Sequence, residues 1–329
     1  KCVHPDTRIY IDGCSKRMGD IKVGDRVLTT DGSFRKVSDV FKRKVNEDIY
    51  SIKPQGLQEI KLTGEHPVYA VRAGRDYYGK ARRKLSNMKG NMTLGWVSAE
   101  LLKKGDYIVL PVVNHGKNKF NEDIARLFGY YVAEGNISEK NRICFGFHKK
   151  EELYADDVIS IIESNFPGVK CYEQVYNNCR NVRCTSKKLA KLLSDNCGKG
   201  SATKKLSKKL VGSDLKTLQN FLTGYFRGDG SKSTGVISMA TISEELFYQL
   251  KLIILSFGIA FTTQIKESRV DKNNVLHQKV YTIRVRNYVE IEKFCSLVND
   301  KIGKELKRYR KTSWVSGNYV FVPIKSIEK

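Results

Sequence analysis

The stretch that decides the fold reads LFGYYVAEG at residues 127–135, and it recurs in altered form as LTGYFRGDG at residues 222–230. Both copies have Leu-x-Gly-Tyr, an aromatic residue, any residue, a small residue, an acid and Gly. On a helix the third and seventh positions share one face, so two such helices can cross with their backbones nearly touching. A symmetric pair of helices would then bring Glu134 and Asp229 together at the helix ends.

The pattern around these two stretches is also duplicated. From about residue 124 the apolar period changes from two to near 3.6, and a predicted helix-strand-helix-strand-strand-helix unit occurs twice, about 95 residues apart. The two repeats span 121–197 and 218–298 of a domain at 116–300. This repeat is longer than the repeats of solenoid proteins and occurs only twice, which excludes a tandem solenoid array. The sequence therefore predicts an α+β domain with an internal pseudo-two-fold duplication.

The charge of the chain indicates a polyanionic partner. Lys and Arg number 59 against 35 acids, a net charge of +24, which favours nucleic acid; an anionic membrane and a merely solubilising surface are the alternatives. The most apolar segment, residues 250–261, contains Lys251 and is too short to span a bilayer, and the amino-terminal residues lack a signal-peptide core. We expect a cytoplasmic protein without a membrane partner.

The eight cysteines show no two-residue spacing typical of zinc or redox motifs. Four of them cluster, and we interpret these as packing residues, with a metal site or a disulfide as the lesser alternative: Cys171, Cys179, Cys184 and Cys197.

The paired acids predict a metal site. Two carboxylates at one point repel each other unless a divalent cation lies between them, and a hard metal bound by carboxylate and phosphate oxygens is suited to phosphodiester hydrolysis. The alternative is two core helices that end in glycine caps, with Glu134 and Asp229 in solvent. The repetition of the whole pattern favours the metal site.

These motifs resemble those of the LAGLIDADG homing endonucleases in their single-chain, two-repeat form, over about residues 121–298. The resemblance implies a monomer with two saddle-shaped sheets over double-stranded DNA, Mg²⁺ held by Glu134 and Asp229, and a staggered cut at a long asymmetric site. Family members also place a lysine beside the metal. The matching segment here is KKLSKKL at 204–210, with Ser207 where the family has Pro, so Lys205 is the expected catalytic lysine and Lys232 a weaker choice. DNA contacts are expected from Lys204, Lys208, Lys209, Lys232, Arg82, Arg83 and Lys84.

The first 115 residues predict a β-rich domain. Short β-prone runs alternate with Gly-Asp and Asp-Gly turn signals, a basic insert occupies 72–93, and residues 301–329 form a return segment. Gly105-Asp106 echoes Gly24-Asp25, which suggests two related turns in one twisted sheet.

This region resembles the Hint splicing domain of an intein of archaeal type, on CVHPDT at 2–7, GDRVL at 24–28, LTGEHPV at 62–68 and WVSAEL at 96–101. The resemblance implies a host extein covalently attached before splicing. The Cys2 thiol would attack the carbonyl of Lys1 to form a thioester. His66 would deliver a proton to the leaving amide nitrogen, and Thr63 would steady the tetrahedral oxyanion.

One departure from the intein pattern concerns the carboxyl end. Inteins close with two further strands and His-Asn, whereas YVFVPIKSIEK at 319–329 resembles only the lead-in to those strands, so we expect the chain as given not to complete splicing. Two other functional classes remain open. One is a LAGLIDADG-derived protein that binds DNA or RNA without cutting, and the other is a Hedgehog-type autoprocessing domain, which shares Cys and Thr-x-x-His but carries no duplicated nuclease.

Overall fold

The computed structural model describes residues 1–72, 94–302 and 313–329, so the predicted DNA contacts Arg82, Arg83 and Lys84 lie outside the described residues. The amino-terminal region is all β, as its turn signals predict. Its strands are β1 (Arg8–Ile11), β2 (Cys14–Arg17), β3 (Arg26–Leu28), β4 (Phe34–Lys36), β5 (Ile49–Pro54), β6 (Ile60–Thr63), β7 (Pro67–Val71), β8 (Leu94–Ser98) and β9 (Tyr107–Pro111).

The duplicated region follows. In each of its repeats the first helix leads into a short strand that the sequence does not predict, and the second repeat also has an unpredicted two-stranded hairpin. The first repeat contains α1 (Glu122–Glu134), β10 (Gly135–Ile137), β11 (Arg142–His148), α2 (Glu152–Asn165), β12 (Tyr172–Tyr176), β13 (Cys179–Thr185) and α3 (Lys187–Cys197). A short helix α4 (Lys208–Val211) leads to the second repeat. That repeat contains α5 (Leu215–Asp229), β14 (Gly230–Ser233), β15 (Val236–Thr241), α6 (Glu244–Ser256), β16 (Thr262–Lys266), the small hairpin β17 (Arg269–Val270) and β18 (Leu276–His277), β19 (Val280–Val285) and α7 (Tyr288–Leu297).

The extra strands β10 and β14 begin at the residue that follows α1 and α5. Each is three or four residues long and pairs antiparallel with the next strand, too short to show a period of two in the sequence. The sheets have matching orders, β10-β11-β13-β12 and β14-β15-β19-β16. The predicted duplication is therefore present in the structure, as an α-β-β-α-β-β-α unit.

The chain returns to the β-rich region through β20 (Trp314–Ser316) and β21 (Tyr319–Glu328). β21 pairs antiparallel with β9 and with β5, in the middle of a sheet of order β6-β5-β21-β9-β7-β8, and β20, the seventh strand, pairs with β21. The segment interpreted as a lead-in to later strands is thus itself a central strand of this sheet, over Tyr319–Glu328.

The two Gly-Asp turns are alike but belong to different sheets. Gly24 and Gly105 have φ values of 95° and 94°, and Asp25 and Asp106 each accept a hydrogen bond from a backbone N–H three residues earlier, at 2.9 and 2.8 Å. β3, however, lies in the four-stranded sheet β2-β1-β3-β4, and β9 lies in the seven-stranded sheet. The prediction of one sheet was wrong because turn chemistry sets the local chain reversal and not the strand partner.

The largest apolar core lies within the duplicated region and extends to residues of β1, β4 and β21. Helix α6 is buried on all sides over residues 246–255, because the sheet of its own repeat and the turn between β1 and β2 cover it from two directions. Within the described parts of the chain, no helix has the length and apolar content that a membrane crossing requires.

Candidate active sites

Helices α1 and α5 cross in direct backbone contact. A Cβ atom built on Gly129 would lie 2.2 Å from the carbonyl oxygen of Phe221, and one on Gly224 would lie 2.1 Å from that of Arg126. One turn further on, a Cβ on Gly228 would lie 2.4 Å from the Cβ of Ala133. No side chain larger than hydrogen fits at these positions, so the small residues of the two motifs meet each other.

The glycine after each acid also has a packing role. Gly135 and Gly230 have φ values of −93° and −81°, so they are not left-handed helix caps, and the glycine-cap interpretation was wrong. A Cβ on Gly135 would lie 2.5 Å from the Tyr131 ring, and one on Gly230 would lie 2.1 Å from the Phe226 carbonyl oxygen. Glycine here lets each chain turn directly from the helix into a strand.

This geometry brings the two acids together. A Cβ on Gly228, the neighbour of Asp229, would lie 2.9 Å from Cγ of Glu134. Burial, and then the charge of Glu134, raise the pKa of Asp229 to about 7. Burial also raises the pKa of Glu134. Two partly buried carboxylates that resist ionisation offer hard oxygen ligands, so Glu134 and Asp229 could hold a divalent cation between them.

Lys204 is the lysine that faces these carboxylates. Its side chain is buried, and its ammonium group donates three hydrogen bonds, to the carbonyl oxygens of Tyr131 (2.7 Å), Val132 (2.7 Å) and Gly135 (2.8 Å). Burial lowers the pKa of Lys204 to about 8, while Asp229 and Glu134 favour its charged form. A cation at the carboxyl end of a helix is favourable, so Lys204 stabilises the end of α1 that carries Glu134.

Lys205, the expected catalytic lysine, points away from the site. Its exposed Nζ lies 4.0 Å from Glu245. Residues 204–206 alternate between buried and exposed, as in an extended chain whose neighbouring side chains point to opposite sides. In the sequence, Leu206 distinguishes the two lysines. It is apolar and is expected to be buried, and in an extended chain its side chain points to the same side as that of Lys204. For the same reason Lys204, which is buried, is not a free DNA contact.

The other predicted DNA-contacting lysines in the described residues have contacts elsewhere in the protein. Lys208 Nζ pairs with Asp12 at 3.0 Å, and Lys209 Nζ lies 4.8 Å from the ring centre of Phe120, which precedes α1. Since Phe120 precedes α1 and α1 has 13 residues, the Lys209 ammonium lies about a helix length, roughly 20 Å, from Glu134. Lys232 Nζ pairs with Asp300 at 2.8 Å, so its charge is neutralised within the protein.

A second cluster lies where the amino-terminal residues run along β6. The N–H of Cys2 donates to Oγ1 of Thr63 at 2.8 Å, and the N–H of Thr63 returns a bond to the carbonyl oxygen of Cys2 at 3.0 Å. The hydroxyl of Thr63 therefore lies on the nitrogen side of the Lys1–Cys2 amide, rather than at the carbonyl oxygen where the resemblance would put an oxyanion contact.

His66 follows Thr63 in the same turn. Its backbone N–H donates to the Thr63 carbonyl oxygen at 3.0 Å, and the buried Nδ1 of its ring has no hydrogen-bond partner among the described residues. Burial lowers the pKa of His66. The imidazole is thus neutral at neutral pH, with one ring nitrogen unengaged.

Arg43 joins this cluster without any signal in the sequence. Its Nε donates to Sγ of Cys2 at 3.1 Å, and its Nη2 pairs with Glu47 at 3.0 Å. Arg43 belongs to residues 37–48, which lack regular structure, so no motif or periodicity relates it to Cys2.

The described residues contain no group of three or more His, Cys, Asp or Glu side chains placed to hold a metal ion. All eight cysteines are free thiols. Of the four clustered ones, Cys184 and Cys197 are buried, as expected of packing residues, whereas Cys171 and Cys179 are half-buried.

A protein-family model matches the second repeat of the chain. Residues 216–299 match the family model of the LAGLIDADG-like domain. The chain is 27% identical to the ATP-dependent DNA helicase Hel308 of Thermococcus kodakarensis, over 100% of this chain and 34% of the helicase. It is 26% identical to an iron-sulfur cluster assembly SufBD family protein of Mycobacterium bovis, over 83% of this chain and 35% of that protein. The chain thus spans about a third of the length of these curated relatives. A solved structure of variants of the homing endonuclease I-DmoI is similar with a TM-score of 0.43 at 13% identity, covering 55% of this chain and 98% of that one.

Proposed function

We propose that this chain is an intein that combines a Hint-type self-splicing domain with a LAGLIDADG homing endonuclease. The nuclease would make a metal-dependent double-strand cut in DNA at the site where the intein-coding sequence inserts. The observation that carries the nuclease proposal is the meeting of Glu134 and Asp229 at the ends of two crossing helices, above the buried ammonium of Lys204.

Glu134 and Asp229 would hold the cation, Mg²⁺, through their carboxylate oxygens. A divalent ion bound there supplies a Lewis acid for the scissile phosphate and makes a water more acidic. Lys204 holds the last turn of α1 through the carbonyls on both sides of Glu134, and it offsets part of the repulsion between the two acids. The net charge of +24 attracts the DNA from a distance.

The splicing proposal rests on Cys2, Thr63 and His66. In the acyl shift, the Cys2 S–H bond breaks, the sulfur bonds to the Lys1 carbonyl carbon, the carbon–nitrogen bond breaks, and the released Cys2 nitrogen takes up the proton that the thiol has lost. Thr63 holds the scissile nitrogen at 2.8 Å. The buried Nδ1 of His66 has no hydrogen-bond partner among the described residues, and we assign to it the transfer of this proton from the thiol to the nitrogen.

The relatives of this chain add support. One is named as a DNA helicase and another as an iron-sulfur cluster assembly protein, and each matches this chain over about a third of its own length. A segment shared by proteins of such different activity is typical of an inserted element rather than of either host activity.

The nuclease is tested with DNA that carries the host-gene junction without the insert, in Mg²⁺. Glu134→Gln and Asp229→Asn should abolish cutting and leave DNA binding in place, while Glu139→Gln, at an exposed acid in the same repeat, should cut like the parent. Binding without cutting in Mg²⁺ or Mn²⁺ would instead favour a LAGLIDADG-derived binding protein.

Splicing is tested in a fusion that carries host coding sequence on both sides of the chain. Thiol treatment should release the segment that ends at Lys1, and Cys2→Ala or His66→Ala should prevent this release. Release that persists in Cys2→Ala would refute the proposed nucleophile.

A further inference from the structure

A buried glutamine joins the β-rich region to the segment that carries Lys204. Gln249 lies on α6 and is 1% exposed. Its Nε2 donates to the carbonyl oxygen of Gly13, in the turn between β1 and β2, at 2.9 Å, and to that of Leu206 at 2.8 Å. Its Oε1 accepts from the N–H of Leu206 at 2.7 Å. The amide uses both of its N–H groups and its oxygen in this bridge.

The bridge ends two residues from Lys204. Ser243, at the start of α6, donates from its hydroxyl to the Lys204 carbonyl oxygen at 2.6 Å, so both sides of the 204–206 segment are held by this helix. From there the Lys204 ammonium reaches the carbonyls of Val132 and Gly135, on either side of Glu134. A continuous series of buried hydrogen bonds therefore runs from the β1–β2 turn to the carboxylate site.

The contacts around Gly13 keep the turn in place. Gly13 has φ +89°, a conformation that favours glycine, and the neighbouring Asp12 pairs with Lys208 at 3.0 Å. A Cβ on Gly13 would lie 3.1 Å from the Lys208 side chain. The β1–β2 turn is thus packed against the same linker, residues 204–211, that Gln249 holds.

We propose that Gln249 is a positioning residue of the nuclease site, through which docking of the β1–β2 turn holds Lys204 against the end of α1. The inference rests on the proposed nuclease function and goes beyond it, because it makes the splicing domain part of the framework of the nuclease. Small displacements at a reacting centre can cost about 100-fold in rate, so loss of the bridge acts on cleavage more than on DNA binding.

The test uses the full chain with Gln249→Leu, which removes the bridge, and Gln249→Asn, whose shorter amide cannot reach both partners. Tyr248→Phe is the matched control, because the Tyr248 hydroxyl makes a separate contact with the β-rich region, to Gln58 at 2.6 Å, that does not reach the 204–206 segment. We expect the single-turnover cleavage rate at saturating DNA to fall about 10-fold or more in the Gln249 variants, with the Kd for DNA within about 2-fold. Tyr248→Phe should cut at close to the parent rate.

Hydrogen exchange of the same proteins gives a readout that does not need cleavage. The amides of residues 203–207 should exchange faster in both Gln249 variants than in the parent. In Tyr248→Phe their exchange rates should be those of the parent. Parent-like cleavage in both Gln249 variants, or unchanged protection of residues 203–207, would overturn the inference. A parent protein that never cuts would count against the proposed nuclease, while exchange would still decide whether the bridge holds the segment.

Discussion

The burial of Asp229 makes ionisation of its carboxyl group unfavourable. Its pKa is raised to about 7, above the usual value for an unfolded chain, so the folded metal-free protein binds more protons than the unfolded one between these values. The preference of the folded state for the protonated Asp229 carboxyl therefore stabilises the protein at acid pH, and this stabilisation is lost as the pH rises through about 7. We expect Asp229→Asn to stabilise the metal-free protein at pH 8 by about 1–2 kcal/mol.

Denaturant unfolding in the presence of a chelator, at pH 5 and pH 8, measures this effect. The gain should shrink at pH 5, where the parent carboxyl is already protonated. Added Mg²⁺ should stabilise the parent and not the variant, because the variant lacks the anionic ligand. A variant that is less stable than the parent at pH 8 would contradict the assigned cause of the shift.

Lys204 and Lys205 provide a matched pair at the residue scale. Lys204→Met leaves three carbonyl oxygens at the end of α1 without their donor, and we expect it to lower the free energy of unfolding by about 2 kcal/mol and to abolish cleavage. Lys205→Met removes an exposed charge and should change stability by less than about 0.5 kcal/mol. Equal losses in the two variants, by denaturant unfolding, would be inconsistent with the assignment of Lys204 to the site.

At the scale of elements, the crossing of α1 and α5 tolerates no added atom. Gly129→Ala and Gly224→Ala place a methyl group 2.2 and 2.1 Å from carbonyl oxygens of the facing helix, so the helices must separate. We expect each to lower the free energy of unfolding by about 3 kcal/mol or more. The control is Gly146→Ala on β11, whose nearest neighbour would be 3.5 Å away. A thermal shift equal to that of the control would argue against the close crossing.

The sequence predicted this crossing because the reason for it is local: small residues four apart lie on one face of a helix whatever surrounds it. The strands β10 and β14 and the assignment of β3 and β9 to separate sheets were not predictable in this way. A three-residue strand has too few residues for a period, and strand partners are chosen by contacts between residues far apart in the chain.

At the scale of the whole molecule, Lys251 lies where the β-rich region meets α6. It is 4% exposed, and its Nζ lies 4.8–5.3 Å from the ring centres of Tyr10, Phe247 and Tyr248. Burial lowers the pKa of Lys251 to about 7, although the ring faces favour the charged amine. The unfolded chain therefore binds more protons than the folded one above about 7, and stability from this group rises with pH up to the ordinary lysine range.

We accordingly expect Lys251→Met to raise the midpoint of thermal unfolding at pH 6.5 and to gain little at pH 9.5, where the parent amine is neutral. Lys293→Met, whose parent Nζ bonds to the Gly258 carbonyl at 2.9 Å, is the control with an engaged amine and should not stabilise at either pH. A gain that is the same at both pH values would show that packing, not charge, is the cause.

The sequence by itself determined the duplication, the helix pair and the placement of one acid at the end of each motif helix, because these follow from spacing along a single helix. The identity of Cys2, Thr63 and His66 as a group came from motif resemblance. Only the tertiary structure decided that Lys204 rather than Lys205 faces the carboxylates, that Arg43 lies against Cys2, and that Gln249 ties the β1–β2 turn to Lys204. The burial of a side chain and its hydrogen-bond partners depend on residues that are distant in the chain. They cannot be read from the sequence around that side chain.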